Sequence, residues 1–87
     1  MPHKMNILTI PYPDDLLLSL KESEESFAKE ARLLLAVKLY ELGRVSTGLA
    51  ASLAGLDRVA FMFALARFGL SPIDLSPEEL AEDLRNA

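Results

Sequence analysis

The stretch Ser46-Thr47-Gly48-Leu49-Ala50-Ala51-Ser52-Leu53-Ala54-Gly55-Leu56-Asp57-Arg58-Val59-Ala60-Phe61-Met62-Phe63-Ala64-Leu65-Ala66 decides the fold. Ser46 suits the N-cap of a short helix running to about Ala54, because its hydroxyl accepts from an otherwise unpaired N–H in the first turn. Gly55-Leu56-Asp57 reads as a tight turn. Its glycine takes a left-handed backbone without strain. Asp57 then caps a second helix from Arg58 to about Phe68, which Gly69 ends. Two helices joined by three residues cross steeply, and close crossing needs small side chains where they touch. Ala50, Ala51 and Ala54 supply them. Leu56 is expected to point inward from the turn, and Phe61 and Leu65 to pack the second helix onto the first. The reading is a helix-turn-helix unit over 46–68.

Upstream, Ser23 with Glu24 and Glu25 marks the start of a long helix that runs to about Leu42, with Gly43 at its end. Phe27, Ala31, Leu34, Leu35, Leu39 and Leu42 recur at helical spacing and predict one apolar face. Leu33, Ala36, Val37 and Tyr40 widen the apolar surface almost all the way round. A helix of that kind requires burial on more than one side, by a second copy or another partner. Pro13-Asp14-Asp15 opens a shorter helix through about Leu20, with the two carboxylates at its positive end. Lys21-Glu22-Ser23 is a polar break. Residues 5–10, Met-Asn-Ile-Leu-Thr-Ile, predict a short strand, ended by Pro11 and Pro13, which lack ladder donors. No second strand signal occurs. The strand therefore either pairs with its counterpart in a dimer or lies as an extended arm. Downstream, Ser71-Pro72 breaks the chain, and Ser76-Pro77-Glu78-Glu79 starts a last helix carrying Leu80 and Leu84. The expected fold is mainly α: a short N-terminal β-strand, a long helix, the helix-turn-helix unit and a C-terminal helix.

At 87 residues the chain has room for one domain. A helical domain over 1–70 with a tail over 71–87 is expected. Hydrophobic residues make up 51% of so short a chain, and a domain of this size buries a modest share of its surface. Self-association is the natural remedy. The whole net charge of −4 falls on the tail, where Asp74, Glu78, Glu79, Glu82 and Asp83 face only Arg85. Such a tail repels nucleic acid and attracts basic protein surfaces. Glu78, Glu79, Glu82 and Asp83 are accordingly candidates for binding a partner, against the alternative of a solvated surface helix. No apolar run approaches the ~20 residues of a membrane span, and no secretory leader pattern opens the chain. A cytoplasmic location is the expectation.

Catalytic chemistry finds no set of residues here. Cysteine is absent and His3 is the one imidazole. No His-assisted nucleophile, metal site or cofactor is expected. Asp14-Asp15 and Glu24-Glu25 are paired carboxylates, but helix starts account for both. Gly43, Gly48, Gly55 and Gly69 are scattered and form no phosphate-binding loop. The expectation is a binding protein and not an enzyme. In a helix-turn-helix unit, the second helix meets DNA through its first residues. Its outward positions here are Arg58, Val59, Met62, Phe63 and Ala66. Arg58, Val59, Met62 and Arg44 are the DNA-binding candidates, with Lys29, Arg32, Lys38 and Arg67 as further bases for phosphates. Bidentate base reading wants Arg, Lys, Asn or Gln, whereas this face is mostly apolar. Met62 and Phe63 are therefore equally candidates for a protein-binding patch. The order strand, short helix, long helix also fits one half of a ribbon-helix-helix dimer, in which Leu8 and Ile10 face the core.

The run Leu39-Tyr40-Glu41-Leu42-Gly43-Arg44-Val45-Ser46-Thr47-Gly48-Leu49-Ala50-Ala51-Ser52-Leu53-Ala54-Gly55-Leu56 resembles the small prokaryotic proteins grouped as uncharacterised protein family UPF0175. Their pattern, LY-x-x-G-[RK]-[IV]-S-x-G-x-A-A-x-L-A-G followed by an aromatic-containing helix, is similar to this run and to the Asp57-Arg58-Val59-Ala60-Phe61 that continues it. Ile10-Pro11, followed by acids and leucines, resembles the family's opening. The resemblance implies an antitoxin of a toxin-antitoxin system, accompanying a PIN-type ribonuclease toxin. It further implies dimerisation, autoregulation through operator DNA and a segment that occupies the toxin. The positions that match the motif, Ser46, Gly48, Ala50, Ala51, Gly55 and Phe61, have structural roles in it.

Overall fold

A computed structural model describes residues 4–70. Four helices follow in chain order: α1 (Asp14–Leu20), α2 (Glu24–Glu41), α3 (Thr47–Ala54) and α4 (Arg58–Arg67). Three of them begin as the sequence dictates. Ser23 Oγ accepts from the Ser26 N–H at 3.1 Å, Ser46 Oγ from Leu49 at 3.2 Å, and Asp57 Oδ1 from Ala60 at 2.7 Å. Each satisfies one of the orphan donors of its first turn. Pro13 precedes α1 in extended conformation, with Asp14 and Asp15 in the first turn.

The four helices also end alike. Beyond α3, the Leu56 N–H donates to Ala51 O at 2.9 Å and Gly55 to Ser52 O at 3.1 Å, the paired reverse bonds that satisfy the last carbonyls. The same pairing closes α2 through Gly43 and Arg44, and α4 through Gly69 and Leu70. At α1 it is closed by Lys21, the one non-glycine residue with positive φ (+58°) among the described residues.

α2 packs on α3, and α3 on α4, with α3 and α4 bent by 87° across their three-residue turn. The core is formed by Ala36, Val37 and Tyr40 of α2, Ala50 and Ala51 of α3, and Phe61 and Leu65 of α4. Alanines at the crossing let the backbones approach, and Phe61 and Leu65, both 0% exposed, fill the space beneath. The Tyr40 ring meets Phe61 edge to face, with centroids 5.9 Å apart. Ala50, Ala51, Phe61 and Leu65 thus occupy the places their spacing predicts. Leu56 does not, being 37% exposed at the turn.

Two further expectations are corrected. The packed face of α2 is the set that widened its apolar surface, Leu33, Ala36, Val37 and Tyr40, and not the face read first. Leu34, Leu35 and Leu42 stand exposed on the side opposite to it. Both arcs have helical spacing, so periodicity alone does not choose between them. The choice falls to the arc with small residues, because α3 presents alanines that demand close approach. Secondly, residues 5–10 form no strand. They run without regular secondary structure, with Ile7 90% exposed and Leu8 and Ile10 facing solvent instead of a core. A strand needs a neighbour for its ladder, and no other segment among the described residues offers one. The arm touches the body at its end, where Tyr12 packs edge-on against Phe27 at 5.0 Å. The acidic tail over 71–87, with Glu78, Glu79, Glu82 and Asp83, lies outside the described residues, as does His3.

Candidate interaction site

The bent pair α3–α4 presents one face to α2 and the other to solvent. Along α4 the inward side chains are Phe61, Ala64 and Leu65. Of the outward set, Phe63 is 72% exposed, Arg58 and Ala66 are exposed, and Val59 and Met62 are half-buried. The outer surface of α4 is therefore an apolar ridge led by Phe63, with Arg58 at one end and Arg67 at the other. Arg44 is exposed just past α2, where its backbone N–H is used to close that helix.

The cations that the sequence offers for phosphates are in part engaged within the fold. Arg58 does not extend from the start of α4. Its guanidinium turns back over α3, so that a Cβ placed on Gly48 would meet its Nη2 at 2.9 Å and its Nε at 3.0 Å. Gly48 is thus the floor on which Arg58 lies, a packing role. Lys38 Nζ is 2.9 Å from Glu41 Oε1 on the surface of α2. Arg32 donates from Nε to Leu53 O at 2.9 Å, at the C-terminal end of α3 where carbonyls lack helical partners. Its guanidinium also lies against Gly55: a Cβ there would sit 3.1 Å from Nη1. Arg32 therefore ties α2 to the turn between α3 and α4. Sequence reasoning places it among the phosphate cations, and with donor and acceptor 21 positions apart no local pattern announces the bond.

One acidic pair also escapes the sequence reading. The Glu22 carboxyl is held above the usual carboxylate range, chiefly by a hydrogen bond with Glu30, and further by burial and by the Glu30 charge. Its Oε2 is enclosed without a hydrogen-bond partner. The pair lies at the junction of α1 and α2, away from the α4 ridge.

The largest uncovered apolar side chains among the described residues fall into three groups. One is the arm, with Met5, Ile7, Leu8 and Ile10. Another is on α1 and α2, with Leu18 and Leu20 on the first and Leu34, Leu35 and Leu42 on the second. The third is the α3–α4 surface, with Leu49, Phe63 and Phe68. Exposed apolar side chains grouped in this way mark surfaces that bind. No single helix among the described residues is long and apolar enough to cross a membrane. α3 and α4 reach that hydropathy together but are bent by 87°.

Comparison with known proteins agrees with the run from Leu39 to Leu56. The chain is 41% identical over 80 residues to a UPF0175 protein of Aeropyrum pernix, covering 92% of this chain and 84% of that one. It is 37% identical over 73 residues to a UPF0175 protein of Archaeoglobus fulgidus, covering 84% and 80% respectively. No solved structure matches the chain. The profile of the uncharacterised protein family UPF0175 matches residues 5–87, and the chain belongs to that family.

Proposed function

We propose that the protein is an antitoxin-like regulator that acts as a homodimer and binds a partner protein, of the PIN-type ribonuclease toxin class. In this reading α3 and α4 form a helix-turn-helix unit, with α4 in the place of the recognition helix and operator DNA as a further ligand. The observation that carries it is the uncovered side of α2. Leu34, Leu35 and Leu42 (the last 58% exposed) stand opposite a face that is already packed. A helix buried on one side and apolar on the other is half of an interface. The acids Glu78, Glu79, Glu82 and Asp83 add negative charge suited to a basic partner.

A protein-only adaptor is the second reading, and the path of Arg58 favours it. With that guanidinium laid over Gly48, the outer face of α4 offers Phe63 and Met62 and no base-reading side chain in its first turn. The two readings separate by salt. Binding to DNA weakens steeply as salt displaces the phosphate contacts, whereas an apolar contact is little affected. Light scattering of the purified protein, alone and with short random-sequence duplex DNA at low salt, tests both. A dimer that shifts onto DNA supports the regulator. A dimer that ignores DNA at low salt leaves the adaptor, and a monomer at micromolar concentration overturns the homodimer.

A further inference from the structure

We infer that the second copy sits on the uncovered stripe of α2, antiparallel to it, with the two-fold axis passing between Leu34 and Leu35. The inference rests on the homodimer proposed above and assigns its surface.

The stripe is symmetric about that point. Phe27 and Leu42 each lie seven and a half positions from it, about 11 Å along the axis at 1.5 Å per residue. Antiparallel pairing therefore sets Leu42 of one copy against the Tyr12–Phe27 ring pair of the other, and Leu34 against Leu35. Lys38 is the one charged side chain in the middle of the stripe. It is opposed by Ala31, a residue small enough for the lysine stem to lie across it while its ammonium stays with Glu41. Such mutual contact is what a two-fold interface requires.

Charge selects the direction. The first turn of α2 carries Glu24 and Glu25, whereas in its last turn Lys38 and Glu41 neutralise each other and the exit carries Arg44. Parallel pairing would place like charges together at both ends. Antiparallel pairing brings Glu24 and Glu25 beside Arg44 of the second copy, twice by symmetry, and also opposes the two helix dipoles.

The natural chain contains no cysteine, so one introduced thiol reports on one place. Leu34→Cys and Leu35→Cys are each expected to cross-link to a covalent dimer with a short bismaleimide at micromolar protein. Phe63→Cys, on α4, is expected not to. Arg44→Glu is expected to weaken dimerisation about tenfold at low salt, and Glu24→Arg with Glu25→Arg in the same chain to restore it. A chain that elutes as a dimer but cross-links through position 63 and not through 34 or 35 overturns the assigned face while the homodimer stands. Cross-linking at 34 and 35 without charge rescue overturns the antiparallel direction. A chain that is monomeric by light scattering at every concentration removes the homodimer itself.

Discussion

Arg32, midway along α2, donates from Nε to the backbone carbonyl of Leu53 at 2.9 Å. A single charged side chain thus satisfies the end of one helix from the flank of another, with its positive charge at the negative pole of α3. Arg32→Ala is expected to lower stability by about 0.5–1 kcal/mol, as for loss of an exposed bond whose carbonyl water can reach. Arg32→Lys keeps the charge but not the planar fork, and is expected to recover roughly half of that. Urea unfolding followed by helix dichroism measures both. Equal stability of all three proteins would show that the bond contributes nothing.

Gly48 and Gly55 have opposite expected responses to alanine. Gly55 has φ +77°, and its added Cβ would press on Arg32 at 3.1 Å, so Gly55→Ala is expected to cost at least about 1 kcal/mol. Gly48 lies inside α3 with ordinary helical backbone, where alanine gains up to roughly 1 kcal/mol. There the added Cβ meets only the far end of Arg58. Gly48→Ala is therefore expected to stabilise more in an Arg58→Ala background than in the natural chain. A double-mutant cycle on thermal midpoints gives the difference, and strict additivity would mean that Arg58 does not lie on Gly48.

Lys21 holds the same left-handed position at the end of α1 that glycines hold at the other three helix ends. Lys21→Gly relieves the strain of a Cβ there and is expected to slow amide exchange at the Glu22 N–H, which closes α1 onto Leu17 O at 3.1 Å. Faster exchange at that amide would contradict the account.

Stability should fall as pH rises through the elevated Glu22 carboxyl. The folded chain holds this proton more tightly than the unfolded one, whose value is about 4.5. The contribution is thus complete below that range and is lost as Glu22 ionises against Glu30. Glu22→Gln removes the titration. It is expected to raise the thermal midpoint at pH 7 and to leave it unchanged at pH 3. A gain of the same size at both pH values would point to packing instead of charge.

Phe61→Ala is expected to unfold the chain or cost about 3–5 kcal/mol, because removing this fully buried ring leaves a cavity in the core. Phe63→Ala, two residues along the same helix and 72% exposed, is expected to leave stability within about 0.5 kcal/mol and to affect binding instead. Dichroism and light scattering on the pair separate the two roles.

What the sequence made legible was what is local. Ser23, Ser46 and Asp57 announce three helix starts, and Gly43, Gly55 and Gly69 three ends, because each works through bonds to residues within five positions. The alanines at the crossing and Phe61 and Leu65 beneath it follow from spacing. Hidden were the choices that only a neighbour settles. Leu33, Ala36, Val37 and Tyr40 compete with Leu34, Leu35 and Leu42 for the core, and α3 decides between them. Arg32 and Arg58 read as free cations until the glycines they cover are seen. Residues 5–10 have strand propensity without a partner, and propensity alone makes no ladder.

Most of the contacts that hold the described helices together run between neighbours in the chain, α2 with α3 and α3 with α4, with the Tyr40–Phe61 ring pair reaching from α2 to α4. Each helix also ends on reverse bonds of its own backbone. Few long loops must therefore be searched before native contacts begin to reward one another. Such a topology belongs with the rapid folders, on the order of microseconds to milliseconds. In the proposed homodimer, a newly made chain would reach its folded form well before it met a second copy, so that assembly, being second-order in concentration, would set the pace at which the finished complex accumulates.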